Sequence, residues 1–324
     1  MKIGRRITQL LLLLALAVVP FGASAEGLSA GPIQLVVGFP PGGGTDVLAR
    51  IISKALAEET GLSVIVQNIG GANGSLAEAR VAGAKPDGHT LFFGTAGNIS
   101  VNPLLYKLPF TIQHDFVPIS KIADATLILV ANPEESVRTV KDVIDLAEKE
   151  PGGLKFSTSG IGSLLHLGGE ELNLEAHIAM KHIPFKGSSP SITAVIGGQV
   201  PLAVDTVLLT KPFIQSGKLR AIAVLDAKPS PLFPEIPTVS QTLPGFDVTN
   251  WFGVLAPAKT PKDVQAYLNE KLVAALNRPD VKKQLLNQGA IASPTTQAEF
   301  ADYIASQTEK WGKVIKAANI KIED

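Results

Sequence analysis

No cysteine occurs among the 324 residues. That excludes disulfides, thiolate metal sites and a lipid-modified cysteine at a cleavage point. An excess of basic charge is also missing: 29 Lys and Arg stand against 29 Asp and Glu, a balance that lends no support to a nucleic-acid surface. No stretch reaches the roughly 18 uninterrupted apolar positions of an ordinary membrane span. Signatures of common chemistries are lacking too. For a serine hydrolase the expectation is that Gly-x-Ser-x-Gly is lacking, and the spacing of Ser159 and His166 supplies no nucleophile and base by itself. The glycine loops have neither the Gly-Lys-Ser/Thr ending nor the Gly-x-Gly-x-x-Gly order of nucleotide sites. His89, His114, His166, His177 and His182 show no zinc spacing and read as caps, core partners or solvated side chains. No catalytic residue, metal or cofactor is expected.

What is present begins with a leader. Lys2, Arg5 and Arg6 precede the apolar run Leu10 to Val19, and Ala23-Ser24-Ala25 is a small-x-small site. This pattern predicts a secretory signal over 1–25, cleaved between Ala25 and Glu26, and a soluble periplasmic product. Loss of the three leader cations leaves 26 basic residues against 29 acidic ones, a net charge near −3. The full chain, 45% hydrophobic and 18% charged, has a globular composition and is long enough for two domains.

The chain is organised around residues 33–50. Ile33 to Phe39 reads as a buried strand, Pro40-Pro41-Gly42-Gly43-Gly44 must turn, and Thr45 or Asp46 can cap a helix over 46–59. Glycines let backbone N–H groups point into one concavity, where a helix dipole adds about half a positive charge, so the loop suits an anion. A plain connection is the simpler reading of the same residues. Strands at 63–67 and 90–94 and a helix at 75–83 continue a βαβαβ rhythm, which predicts a parallel sheet with the loops Asn68 to Gly74 and Thr95 to Asn98 on one edge. Residues 110–124 look less regular, and Ala125 to Ala131 is a strong apolar strand.

A second copy of the opening theme follows. Leu154 to Thr158 is strand-like, Ser159-Gly160-Ile161-Gly162-Ser163 is a small polar turn, and Ser163 caps a helix from Leu164 to Leu174. Thr158, Ser159 and Ser163 add hydroxyl donors. Lys186 to Pro190 leads into a helix, and the strand Pro201 to Asp205 ends on a carboxylate that can cap the next helix or face the crevice and select ligands with a donor. A Pro-rich crossing over 229–244, a strand over 251–257 and helices over 262–277, 279–287 and 295–318 complete the chain. The layout predicts an α/β, two-lobed fold with lobe 1 from 26–124 plus 251–324, lobe 2 from 125–250, and ligand between them.

The chain also resembles a known family, the Bug-type substrate-binding receptors of tripartite tricarboxylate transporters. The resemblance runs through Val37 to Arg50, Lys85 to Leu91, His182 to Gly187, Gly197-Gly198-Gln199 with Asp205, Gly217 to Ala221, Pro237-Thr238 and Trp251 to Pro257. It implies a periplasmic binding protein of type II fold, two doubly wound sheets closing on a small carboxylate, working as a monomer with membrane transporter subunits of that type. It further implies that Pro41 to Asp46 and Thr158 to Ser163 grip one carboxylate, partly through water. The site expected from the residues and the resemblance together comprises Pro41, Gly42, Gly43, Thr45, Asp46, Asn73, Thr95, Thr158, Ser159, Gly162, Ser163, Lys186, Ser188 and Asp205. Family members often carry Asn-Arg-Pro-Gly-Ala-Gly-Gly in the second loop, where this chain has Asn68 to Gly74, so the distal half of the ligand is expected to differ. A sensor without a transport role and a secreted α/β enzyme are the alternatives.

Overall fold

In a computed structural model, residues 28–321 are described; the expected signal segment and its cleavage point lie outside them. Three parallel strands open the chain: β1 (Ile33–Val37) lies between β2 (Val64–Asn68) and β3 (Thr90–Thr95). Helix α1 (Gly44–Thr60) joins β1 to β2, and α2 (Ser75–Ala82) joins β2 to β3. Leu35 and Val37 of β1 pack with Leu48, Ile52 and Leu56 of α1, so the strand period of two and the helix period near four bury one shared face.

The sixteen-residue strand β4 (Phe116–Ala131) is the spine of the molecule. Its first part pairs antiparallel with β9 (Thr249–Pro257), up to Thr126 against Thr249. From Leu127 onward it pairs with β7 (Leu202–Thr206), and from Ile128 with β8 (Arg220–Val224). A second group of strands is completed by β5 (Lys155–Thr158) beside β7 and β6 (Lys181–Pro184) beside β5, all parallel. The resulting order β2-β1-β3-β9-β4-β7-β5-β6 is one continuous mixed path, because β4 belongs to both halves. Two doubly wound halves of this kind make the two-lobed type II periplasmic binding protein fold.

Sequence reading placed the start of this spine at Ala125, nine residues late. The missing part holds two register shifts, between Pro118 and Ser120 and between Lys121 and Ala123. Each bulge breaks the two-residue alternation by which a strand is recognised. The short β10 (Ala290–Ala292), antiparallel to β4, also escaped notice; three residues carry too little pattern to be read.

The second half is covered by α3 (Val140–Lys149), α4 (Leu164–Glu175), α5 (Ser188–Ile196) and α6 (Val207–Gln215). Helices α7 (Lys262–Asn277), α8 (Pro279–Asn287) and α9 (Gln297–Ala317) follow β9. The last is more than cover. Its Phe300 meets Trp251 of β9 edge-on at 5.5 Å, and its Lys310 forms an ion pair of 2.9 Å with Glu171 of α4, so α9 touches both halves.

Candidate functional site

The C-terminal ends of β1, β2, β3, β5 and β7 carry the loops that face one another across the cleft. In the first half these loops are locked together. A Cβ on Gly38 would come within 2.7 Å of the Gly74 backbone, and Gly74, at φ +90°, leaves the space that Asn98 fills. Asn98 accepts from the Thr95 hydroxyl at 2.9 Å and donates to the Asn73 carbonyl at 2.6 Å. Asn102 donates to the same carbonyl and accepts from the Asn73 amide at 2.7 Å. Asn73, held at φ +49° by these bonds, is thus fixed by the third loop.

Helix α1 begins differently from the expectation. Its N-cap is Gly43, with no side-chain cap, and neither Thr45 nor Asp46 fills that role. Asp46 lies one step deeper, at the third helical position, and reaches back to accept from the Gly42 N–H at 2.9 Å. It also accepts from Arg50 Nε at 2.9 Å and from Asn68 Nδ2 at 2.9 Å. Arg50 above all, then the Gly42 and Asn68 bonds, hold its carboxyl down to about 2 against burial. Asp46 therefore pins the glycine loop from behind. Pro41, Gly42 and Gly43 are exposed beside it.

In the second half Ser163 caps α4 as expected, accepting from the His166 N–H at 3.2 Å while donating to the Gly160 carbonyl at 2.8 Å. The Gly162 N–H is committed to His166 Nδ1 at 3.1 Å. The His166 ring stacks on His182 with centroids 3.7 Å apart, and His182 Nε2 lies 2.7 Å from the Thr158 hydroxyl. Burial, with His166 beside it, pushes His182 down to about 3, so it is neutral. Two histidines that the sequence left as caps, core partners or solvated side chains thus form the floor of this loop. Thr158 is fully buried and belongs to that floor rather than to the cleft surface.

Two adjoining chambers result. The smaller, about 310 Å³, is lined among others by Thr45, Asn73, Thr95, Asn98, Ser159, Gly162, Ser163, Ser188, Thr206 and Asn250. The larger, about 510 Å³, shares Thr45, Ser188, Thr206 and Asn250 and adds Asp205 with a mainly apolar wall. Of the expected site residues, the fold gathers Thr45, Asn73, Thr95, Ser159, Gly162, Ser163, Ser188 and Asp205 on these surfaces. Pro41, Gly42, Gly43, Asp46, Thr158 and Lys186 are not on either lining, and Lys186 is exposed. Thr206, Asn98 and Asn250 were missed. Thr206 had a legible signal, since it follows a strand-ending acid and caps α6; Asn98 stood within the third loop; nothing local marks Asn250.

Four helix N-termini meet at the smaller chamber: α1 through Thr45, α4 through Ser163 to Leu165, α5 through Ser188 and α6 through its cap Thr206. Among the described residues lining it, none is Lys or Arg. Positive potential there comes from backbone dipoles, each about half a charge, with hydroxyl and amide donors around them.

A hydrolase site is not assembled on this surface. Both His166 nitrogens face protein groups, Gly162 and, at 3.5 Å, Glu170. The expectation that the chain lacks Gly-x-Ser-x-Gly is wrong: one such string occurs at Gly27 to Gly31, where Ser29 Oγ lies 2.9 Å from His89 Nε2. It leads into β1 at the sheet edge opposite the loops, with no strand before it among the described residues.

A cleft of this form between two doubly wound halves defines a solute-binding protein. The family model of the tripartite tricarboxylate transporter family receptor matches residues 48–320. The chain belongs to that family. It is 32% identical over 326 residues, covering all of both chains, to protein BugT of Bordetella pertussis. Among solved structures it is similar to a Rhodopseudomonas palustris protein with adipate, at 32% identity over 90% of this chain and 98% of that one, with a TM-score of 0.79. MatC from Rhodopseudomonas palustris with bound malate is similar at 30% identity, 88% and 98% coverage and a TM-score of 0.74.

Proposed function

We propose that this receptor captures a small carboxylate between its lobes in the periplasm and delivers it to membrane subunits of a tripartite tricarboxylate transporter. One observation carries the ligand class: four helix N-termini converge on a chamber whose described lining has hydroxyl and amide donors and no basic side chain. Such a site favours a compact anion over a metal or a nucleotide. The relatives solved with adipate and malate support the same class, and the leader-like first 25 residues support export. Thr45, Asn73, Ser159 and Ser188 are the residues we assign to the carboxylate, with Thr95, Ser163 and Pro41 to Gly43 shaping their loops. We take the molecule to act by binding without turnover.

The lobes, 26–124 with 251–324 and 125–250, would close about the strand crossings near Thr126 and Thr249, since donors lie on both sides and neither side surrounds a carboxylate. Titration calorimetry tests the ligand class directly. Each charge-assisted hydrogen bond is worth about 1.5–3 kcal/mol, so the amide of a bound acid should bind at least about tenfold more weakly. Equal binding of acid and amide would refute a carboxylate site.

A further inference from the structure

We propose that the larger chamber selects acids whose far end carries a hydrogen-bond donor, an ω-hydroxyl or ω-ammonium group, over dicarboxylates, and that Asp205 is the specificity-determining residue. The inference rests on the reading that the first carboxylate sits among the helix N-termini of the smaller chamber. Because Thr45, Ser188, Thr206 and Asn250 line both chambers, one ligand can extend from one into the other. Leu48, Leu208, Leu209, Pro212, Phe213 and Phe252 wall the larger chamber, which suits an aliphatic or aromatic body.

Asp205 is fully buried at the end of β7 and lines that chamber. Its Oδ1 accepts from the Thr206 N–H at 2.7 Å, and its Oδ2 has no hydrogen-bond partner. A buried acceptor left unpaired is costly, and a donor on the ligand removes that cost. Burial raises the Asp205 carboxyl, against the opposing bonds of Thr206, to about 6, so it carries its charge at neutral pH. Among the described residues lining the larger chamber none is Lys or Arg, and its other polar residues, Thr45, Ser188, Thr206, Asn250 and Gln288, are uncharged. A second ligand carboxylate would meet Asp205 with no cation to separate the two, and like charges in a water-poor cavity repel strongly. Adipate and malate, bound by relatives, are both dicarboxylates; this chain is expected to part from them at its distal end.

The test is calorimetric titration of the exported protein with hexanoate, ω-hydroxyhexanoate, ω-aminohexanoate, hexanedioate and hexanamide, repeated for the chain lengths from butanoate to octanoate. The ω-hydroxy and ω-amino acids should bind about tenfold or more tightly than the unsubstituted acid at the best length, and the dicarboxylate more weakly than all three. In Asp205→Asn, which keeps an Oδ1 acceptor for Thr206, the ω-ammonium should lose its lead and the dicarboxylate should gain about tenfold. Tightest binding of a dicarboxylate to the wild type would overturn this inference and leave the carboxylate site standing. An unchanged ranking in a folded Asp205→Asn would overturn it too. Equal binding of hexanoate and hexanamide would remove the carboxylate reading and this inference together. Should the variant fail to fold, the wild-type ranking alone decides.

Discussion

Two aspartates flank the cleft, and their surroundings are opposite. Asp46, on the first half, has every oxygen engaged, by the Gly42 N–H, Arg50 and Asn68, and is held down to about 2. Asp205, on the second, has one oxygen bonded and one unpaired, and is pushed up to about 6. A carboxylate whose bonding is complete shapes its loop and has nothing left to offer a ligand. One whose bonding is incomplete is held in place with capacity to spare. Position near a site does not distinguish a structural acid from a selective one; the partner count does.

Removing Asp46 should sharpen that contrast most. Asp46→Ala strips the Gly42 N–H, Asn68 and Arg50 of their acceptor and should cost about 3 kcal/mol in urea unfolding. A loss below about 1 kcal/mol would mean that the loop holds itself. The next effect is on binding. Ser159 lines the smaller chamber, so Ser159→Ala should weaken carboxylate binding about tenfold, near 1.4 kcal/mol, with the ligandless melting temperature unchanged. Early melting with normal affinity would move Ser159 to the structural side of the comparison. Ser163→Ala should do the reverse. Loss of its cap on α4 should cost about 1 kcal/mol of stability whether or not ligand is present, as paired melting curves would show.

The smallest effect is in the pH dependence, where the two aspartates have opposite signs. Asp46 is lowered from 3.8 to about 2, so its contribution is present above 3.8 and is lost as pH falls towards 2. Asp205 is raised from 3.8 to about 6, so its contribution is present below 3.8 and is lost as pH climbs through 6. Asp205→Asn should therefore gain melting temperature relative to wild type between about pH 4 and about pH 7, by a few degrees or less. Asp46→Asn should differ from wild type least at the acid end. A flat difference for Asp205→Asn would show that its unpaired oxygen finds water in the folded protein.

Local chemistry made much of this fold readable. The strand before Pro40, the helix after Ser163, the carboxylate closing β7 and the three late helices follow from apolar periodicity, caps and glycine turns within a few residues of one another. The Asn98 and Asn102 bonds to Asn73, the His166–His182 stack and the entry of Asn250 into both chambers join residues 16 or more positions apart, whose own sequences carry no sign of a partner. The first part of β4 was illegible for a different reason, because its two bulges break the alternation that marks a strand.

By itself, then, the sequence determined the βα units, the glycine and serine turns at their ends and the neutral, thiol-free chemistry open to the site, since each depends on residues close in the chain. The tertiary structure decided which polar groups stay free. Asp46, Thr158 and the Gly162 N–H are spent on neighbours, whereas Ser159 and Ser188 line the chambers and one oxygen of Asp205 is left without a partner. A hydrogen bond occupies a donor or acceptor only when distant segments meet, and no window of sequence contains both partners.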